Sequence, residues 1–347
     1  MLQEPPVATP SVPLQPYTPE LAAALAPRYE RLQAVIPEAE WAVHAPYVAA
    51  IETLKAERHA VILAHNYQTP EIFHGVADLT GDSLALAQQA AATDADVIVL
   101  CGVHFMAETA KLLNPDKTVL IPDLEAGCSL ASSITAADVR ALRQQHPGVP
   151  VVTYVNTSAA VKAESDLCCT SANAVQAVES LGVERVIFIP DEYLGKYVAK
   201  QTDVEVILWQ GHCEVHERFS AAELRLYRED HPDVYVLAHP ECPPDVLTEA
   251  DFVGSTAGMV RHLEKQQPPQ VVMLTECSMS DNVAVALPNV DFIRPCNLCP
   301  HMKRITLKKI LRALERMEYP VEVEAEIARR ARRSVQRMLE LGRGEGR

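Results

Sequence analysis

From residue 60 onward, short runs of β-branched and aliphatic residues alternate with alanine-rich stretches of helical character. That alternation predicts parallel βα units rather than a bundle or a sandwich. It also repeats. "VILAHNYQ" (61–68), "VVTYVNTS" (151–158) and "VYVLAHPE" (234–241) open three segments in the same way. About 17 residues after each comes a small polar cluster that predicts a helix start: "TGDSLA", "CTSANA" and "GSTAGM". A second strand follows each ("DVIVLCGVHFM", "RVIFIPDEYL", "QVVMLTECSM"), and then a third ("TVLIPDLEAGC", "EVILWQGHC", "VDFIRPCNLC"). The core therefore reads as three copies of a βαβαβ-like unit.

The flanks read differently. Residues 1 to about 20 are proline-punctuated and predict extended or poorly ordered chain. Residues 20 to 58 predict helices broken at Pro27, Pro37 and Pro46. After the third unit, a helix is expected at about 302 to 318, then a basic helix at about 321 to 341, solvated and frayed at its end. The expected division is an N-terminal extension with helices (1–58), units at about 59–147, 148–232 and 233–318, and a C-terminal helix with a basic tail (319–347).

Charge narrows the partners. A net charge of −15 argues against nucleic acid or an anionic membrane, so an anionic ligand would need local fields such as helix N-termini. The N-terminus has no basic segment followed by an apolar one, and no run of about 18 apolar residues could span a bilayer. A soluble, cytoplasmic protein is expected. Nine cysteines in such a chain point to reduced thiols, metal or chemistry rather than a disulfide framework.

Each third strand is followed within a few residues by cysteine: Cys128, then Cys213, then Cys296 and Cys299. Ligands of open parallel sheets bind beyond the carboxyl ends of the strands. If the units pack around a pseudo-threefold axis, one thiolate from each reaches a common centre, which suits a metal. Zinc would recruit a fourth ligand; a four-iron cluster on three thiolates leaves one iron open as a Lewis acid. Spacing alone does not choose between Cys296 and Cys299. Cys101 has Pro190 and Thr275 near its equivalent positions and reads as core. Cys168 and Cys169 read as small buried residues, and Cys242 and Cys277 lack counterparts in the repeat.

Each first strand ends in polar residues two apart: His65 and Tyr67, Tyr154 and Asn156, His239 and Glu241. Such side chains can carry protons for enolisation or imine chemistry. Asp82–Ser83, Thr170–Ser171 and Ser255–Thr256 predict capped helix N-termini that together could hold a phosphate and two carboxylates. His216 follows Cys213 by three residues, near the expected metal.

"AHNYQ", "GDSL", "GVHFMAETAKLLNP", "DLEAGCSLA", "TYVNTSA", "CTSANA", "WQGHCEVHERF", "AHPEC", "GSTAGM" and "CPHMKRITL" occur in this order across about residues 45 to 318. In these motifs the chain resembles the quinolinate synthases of NAD biosynthesis. The resemblance implies an α/β fold of three homologous three-layer αβα units with parallel sheets, arranged with pseudo-threefold symmetry around a central active site. It implies a [4Fe–4S] cluster on Cys128, Cys213 and Cys299, the last preferred because family members keep the cysteine before the proline. Some members carry a CxxCxxC run where this chain has only Cys296 and Cys299. The implied reaction condenses iminoaspartate, supplied by an L-aspartate oxidase, with dihydroxyacetone phosphate to give quinolinate, phosphate and water. The implied substrate-binding positions are His65, Tyr67, Ser83, Tyr154, Asn156, Ser171, His216, His239, Glu241, Ser255 and Thr256. Ketose-to-aldose isomerisation falls to Glu241, with His239 and Tyr67 nearby. Competing expectations are another open-iron hydro-lyase acting on a different carboxylate, and a non-catalytic small-molecule binding protein with a structural zinc.

Overall fold

A computed structural model describes residues 14–342. Most of the segment expected to be extended, residues 1–13, lies outside the described residues, as do 343–347. The structure contains three parallel four-stranded sheets with flanking helices. The first comprises β1 (Ala60–His65), β2 (Leu79–Gly81), β3 (Val97–Cys101) and β4 (Thr118–Leu120). The second comprises β5 (Val151–Tyr154), β6 (Leu167–Cys169), β7 (Arg185–Ile189) and β8 (Glu205–Leu208). The third comprises β9 (Tyr235–Ala238), β10 (Phe252–Val253), β11 (Gln270–Leu274) and β12 (Asp291–Ile293). All three run in the same spatial order: β2-β1-β3-β4, β6-β5-β7-β8 and β10-β9-β11-β12. The three-unit α/β architecture read from the sequence is therefore present, with one correction. Each sheet has a fourth strand, β2, β6 or β10, just before the polar cluster. These strands are two or three residues long, too short to give a periodic signal of their own.

The strands form because they are continuous apolar runs with helices on both faces, and β3 is buried along its whole length. Their register is fixed by a device that occurs three times. The Asp78 carboxylate accepts the Ile62 N–H at 2.8 Å, and the Asp78 N–H bonds back to the Ile62 carbonyl at 2.9 Å. Asp166 does the same with Val151, and Asp251 with Val236, at the same distances. A cation from the preceding helix closes each clamp: Lys55 to Asp78 at 2.6 Å, Arg143 to Asp166 at 2.6 Å and Arg228 to Asp251 at 2.9 Å. That cation also donates to the carbonyl two residues before its aspartate, on Val76, Glu164 and Glu249 respectively. Counting forward from the clamped residue, His65, Tyr154 and His239 all stand three positions on, at equivalent sheet positions.

The sheets do not share one core. The largest apolar cluster runs through the N-terminal helices, both faces of the first sheet, part of the second unit and the C-terminal helices. The third unit packs two clusters of its own, one on each face of its sheet. Helices Pro19–Leu32 and Glu38–Arg58 contain Pro27 and Pro46 in their interiors, so the expected breaks there are not found; only the turn before Pro37 separates them. Burial of Trp41, Ala45, Val48, Ile51 and Leu54 outweighs the ~3 kcal/mol typical of an interior proline.

The basic C-terminal helix, Ala325–Gly342, is not simply solvated, as expected from its charge. Its Ala331, Ser334, Val335, Met338 and Leu339 are buried against the first two units. Ser334 Oγ donates to the Lys162 carbonyl at 2.9 Å, and Arg330 pairs with Glu164 at 2.7 Å. The connecting chain around Pro320 lies antiparallel along the β4 edge and covers it.

The clamp yields a direct test. Asp251→Ala strands the Val236 N–H and frees Arg228, so it should cost about 1–3 kcal/mol and lower the thermal midpoint by several degrees. A calorimetric midpoint equal to that of the parent would show that the clamp follows the fold rather than stabilising it.

Candidate active site

In each sheet the chain order reverses beside the first strand, which puts a switch point at its carboxyl end. The three carboxyl ends meet at one cavity. His65, Tyr67 and Ser83 reach it from the first unit, Tyr154, Asn156 and Ser171 from the second, and His239, Glu241 and Thr256 from the third. Cys128, Cys213, His216 and Cys299 complete its wall. Of the residues expected at the site, Ser255 alone does not line the cavity; its hydroxyl accepts the Gly258 N–H as an N-cap.

The helix-start expectation holds in two units. Asp82 caps Ser83–Ala92, and Ser255 caps Thr256–Gln266. In the second unit it does not: the helix begins at Ala174, not at Thr170–Ser171. Asn173 Oδ1 instead accepts from the Thr170 N–H at 2.8 Å and from its hydroxyl at 3.2 Å, and this local turn delays the helix.

At the centre Glu241 is fully enclosed. Burial works against its charge, but the imidazoles of His239 and His216 and hydrogen bonds from His216 and Tyr154 hold its carboxyl below the usual range. A carboxylate only accepts, so its partners must donate. Tyr154 OH donates to Oε1 at 2.5 Å and His216 Nδ1 donates to Oε2 at 3.0 Å. The other ring nitrogen, His216 Nε2, lies 3.0 Å from Thr275 Oγ1, and Thr275 Oγ1 lies 2.7 Å from Tyr67 OH. Nδ1 is also 3.1 Å from Cys213 Sγ. A hydrogen-bonded chain thus links Tyr67 through Thr275 and His216 to Glu241. Thr275 was missed in the sequence because it ends a second strand, where the repeat offered only Cys101 and Pro190 for comparison.

His65 and His239 are built alike. The N–H two residues on, of Tyr67 and of Glu241, donates to Nδ1 at 3.2 and 3.4 Å. Each imidazole can therefore present Nε2–H, and His239 Nε2 lies 3.2 Å from Ser171 Oγ. Burial pushes both imidazoles down to about 3, against the attraction of Glu241. At neutral pH the cavity thus holds the Glu241 carboxylate with the neutral imidazoles of His65 and His239 beside it. Asn156 Oδ1 is buried in the same wall with no partner, an acceptor free for a bound molecule.

The three thiols are also crowded. Burial pushes Cys128 up to about 12, helped by the charges of Cys299 and Glu241, and raises Cys213 and Cys299 in the same direction. Three half-buried cysteines facing one cavity suit a cationic metal group, which would supply the charge that their surroundings withhold. A second donor set overlaps it: Cys213, His216 and Glu241 offer ligand atoms within 4.8 Å of one another. Gly211 stands before Cys213 because a side chain there would run into the Pro190 carbonyl and Ser133. Cys299 is held from behind: its N–H donates to Glu276, which is fully buried and paired with Lys303 at 2.9 Å. Lys303 also donates to the Tyr67 carbonyl at 2.6 Å, tying this loop to the first unit.

Cys101, Cys168, Cys169 and Cys242 are buried away from the cavity. The sequence did not pair Cys277 with Cys296, and the structure brings these two together. Cys277 follows β11 and Cys296 follows its neighbour β12, which brings their Cα atoms to 5.0 Å, within bonding reach.

Converging thiols, a buried carboxylate and imidazoles at the junction of three αβα units make this cavity the candidate active site of an enzyme, with donors suited to a metal group. The quinolinate synthetase A protein (NadA) family model matches residues 49–340. Quinolinate synthase 2 of Mesorhizobium japonicum is 69% identical over 311 residues, 90% of this chain and 96% of that protein. The quinolinate synthase of Agrobacterium fabrum is 67% identical over 313 residues, 90% of this chain and 91% of that protein. That of Caulobacter vibrioides is 58% identical over 329 residues, 94% and 90% respectively. The chain belongs to the quinolinate synthetase A family of enzymes. Among the described residues no helix is long and apolar enough to cross a membrane.

The depressed imidazoles give a pH prediction. Unfolded histidines take up protons near 6.5, whereas His65 and His239 in the folded chain wait until about 3. Between those values the unfolded state binds more protons, so stability falls as pH drops below about 6.5. The thermal midpoint of metal-free protein should decline over pH 6.5 to 5, and His65→Gln should flatten that decline. An unchanged slope in the variant would mean that His65 is protonated in the native state.

Proposed function

We propose that this cavity condenses iminoaspartate with dihydroxyacetone phosphate to quinolinate in NAD biosynthesis, releasing phosphate and water. The observation that carries this reading is the convergence of Cys128, Cys213 and Cys299, from equivalent loops of three units, on the cavity that contains Glu241. These three cysteines would hold a [4Fe–4S] cluster, which when bound supplies an iron free of protein ligands as a Lewis acid for dehydration. The units serving this reaction divide near 59–147, 148–232 and 233–318, and the enzyme works in the cytoplasm beside an L-aspartate oxidase that supplies the imine.

The chain's own residues bind and move protons. Glu241, kept anionic by Tyr154 and His216, takes the C1 proton that the ketose loses on becoming an aldose. His239, neutral and donating through Nε2, and Tyr67, at the head of the Thr275–His216 chain, return protons to the developing oxygen centres. Among the described residues no arginine or lysine lines the cavity, so the anionic groups of the substrates fall to hydroxyls and helix N-termini. Ser83 and Thr256 begin helices of ten and eleven residues, while Ser171, His65 and Asn156 provide side-chain contacts. Enclosure by the three units keeps water away from an imine that hydrolyses readily.

A second reading is favoured by the Cys213–His216–Glu241 set, whose donors suit a single zinc ion. Anaerobic purification separates the two. A brown protein containing iron and sulfide that makes quinolinate from the two substrates is expected; a colourless zinc protein, or a cluster-replete one that makes none, would refute the reaction proposed. Within the same assay Cys128→Ser should lose iron and activity, whereas Cys168→Ser, buried beside Ser334, should keep both. The opposite pattern would break the assignment of ligands.

A further inference from the structure

The three cysteine loops are joined to one another, not only to their own units. Ser129, next to Cys128, donates through Oγ to the His212 carbonyl at 3.1 Å and accepts the Glu214 N–H at 3.1 Å. One hydroxyl thus grips both neighbours of Cys213. Glu214 pairs with His301 at 2.9 Å, and His301 is two residues past Cys299. Arg304, on the short turn that follows Cys299, pairs with Asp123 at 3.2 Å and with Glu125, both in the loop that leads to Cys128. Lys309 adds a second cation to Asp123 at 2.6 Å. The links run from the Cys128 loop to the Cys213 loop, on to the Cys299 loop and back to the Cys128 loop.

We propose that Ser129, the Glu214–His301 pair and the Arg304–Asp123/Glu125 pairs form a closed ring that holds the three thiols at ligand spacing before any metal arrives. It rests on the reading that these cysteines are the ligands. A ring of this kind differs in kind from three separate loop anchors. Cutting one side leaves every loop joined to its neighbours the long way round, whereas cutting two, with Lys309 counted beside Arg304, leaves the Cys299 loop tied to the first unit through Lys303. Ser129 is a positioning residue: it touches backbone on either side of a ligand, and outer contacts of this sort commonly govern metal retention. The Glu214–His301 and Arg304 pairs lie in partly solvated surroundings, where a lone ion pair contributes little to stability. Their effect is on where the loops sit.

Iron loading provides the test. Parent protein reconstituted anaerobically with ferrous iron and sulfide should show an iron–sulfur absorbance that Cys128→Ser abolishes. Ser129→Ala, which releases both neighbours of Cys213 as well as one side of the ring, should slow reconstitution and speed chelator-driven iron loss, each by about tenfold. Ser129→Thr, which keeps the hydroxyl, should restore both. His301→Gln, and Arg304→Gln combined with Lys309→Gln, should each have smaller effects, while all three together should lose more than the combined factors. Parent-like iron loading and retention in Ser129→Ala, or strict additivity in the combined variant, would overturn the ring. Should Ser129→Ala fail to fold, the His301 and Arg304–Lys309 variants decide alone. Parent-like iron loading in a protein that makes no quinolinate would count against the reaction and leave the ring intact.

Discussion

Everything at the active site is measured from one reciprocal pairing, between the first strand of each unit and an aspartate about fifteen residues on. A parallel strand buried on both faces has no polar side to orient it, so its hydrophobic pattern alone sets register only loosely. The carboxylates of Asp78, Asp166 and Asp251 remove that freedom by taking a strand N–H and returning their own. Once Ile62, Val151 and Val236 are fixed, the residues three and five positions on must emerge at the cavity. A slip of one position would turn His65, Tyr154 and His239 into the helical layers and bring apolar neighbours to the centre.

The second constraint is the enclosed charge of Glu241. An unpaired buried carboxylate would take up a proton or swell its surroundings. Here both oxygens are occupied, and because an anion only accepts, it dictates the sense of every hydrogen bond around it. His216 must turn Nδ1–H to it, and through His216 the carboxylate is linked to the Thr275 hydroxyl and on to Tyr67. A buried network of this kind is held by the single ionised group at its end.

Much of this was legible in the sequence because the units repeat. Equivalent positions made Cys128 and Cys213 stand out from nine cysteines, and made three polar pairs visible where one would have meant little. What stayed hidden had no period to betray it. β2, β6 and β10 are shorter than any alternation that can be recognised. Thr275 is a common residue at a strand end and acquires meaning only through neighbours from two other units. The buried face of the final helix was masked by its arginines, several of which turn back to the first two units: Arg330 to Glu164, Arg332 to the Leu112 carbonyl and Arg337 to the Asp166 carbonyl. Pro27 and Pro46 misled for the opposite reason, since a strong local rule was overridden by burial around them.

The route of the C-terminal helix has a consequence for how the molecule is made. Chains emerge from the ribosome N-terminus first, and domains fold largely as they appear. The first two units can form while the third is still being synthesised, yet the groove that will receive Ala331, Val335 and Met338 then lies open across them. Cys299 is also still to come, so the thiol centre has two of its three members. Newborn chains therefore pass through a stage that is sticky on one side and incomplete at its centre. The same last stretch of translation, some forty residues from Cys299 to the end of the helix, delivers both the missing thiol and the helix that covers the groove.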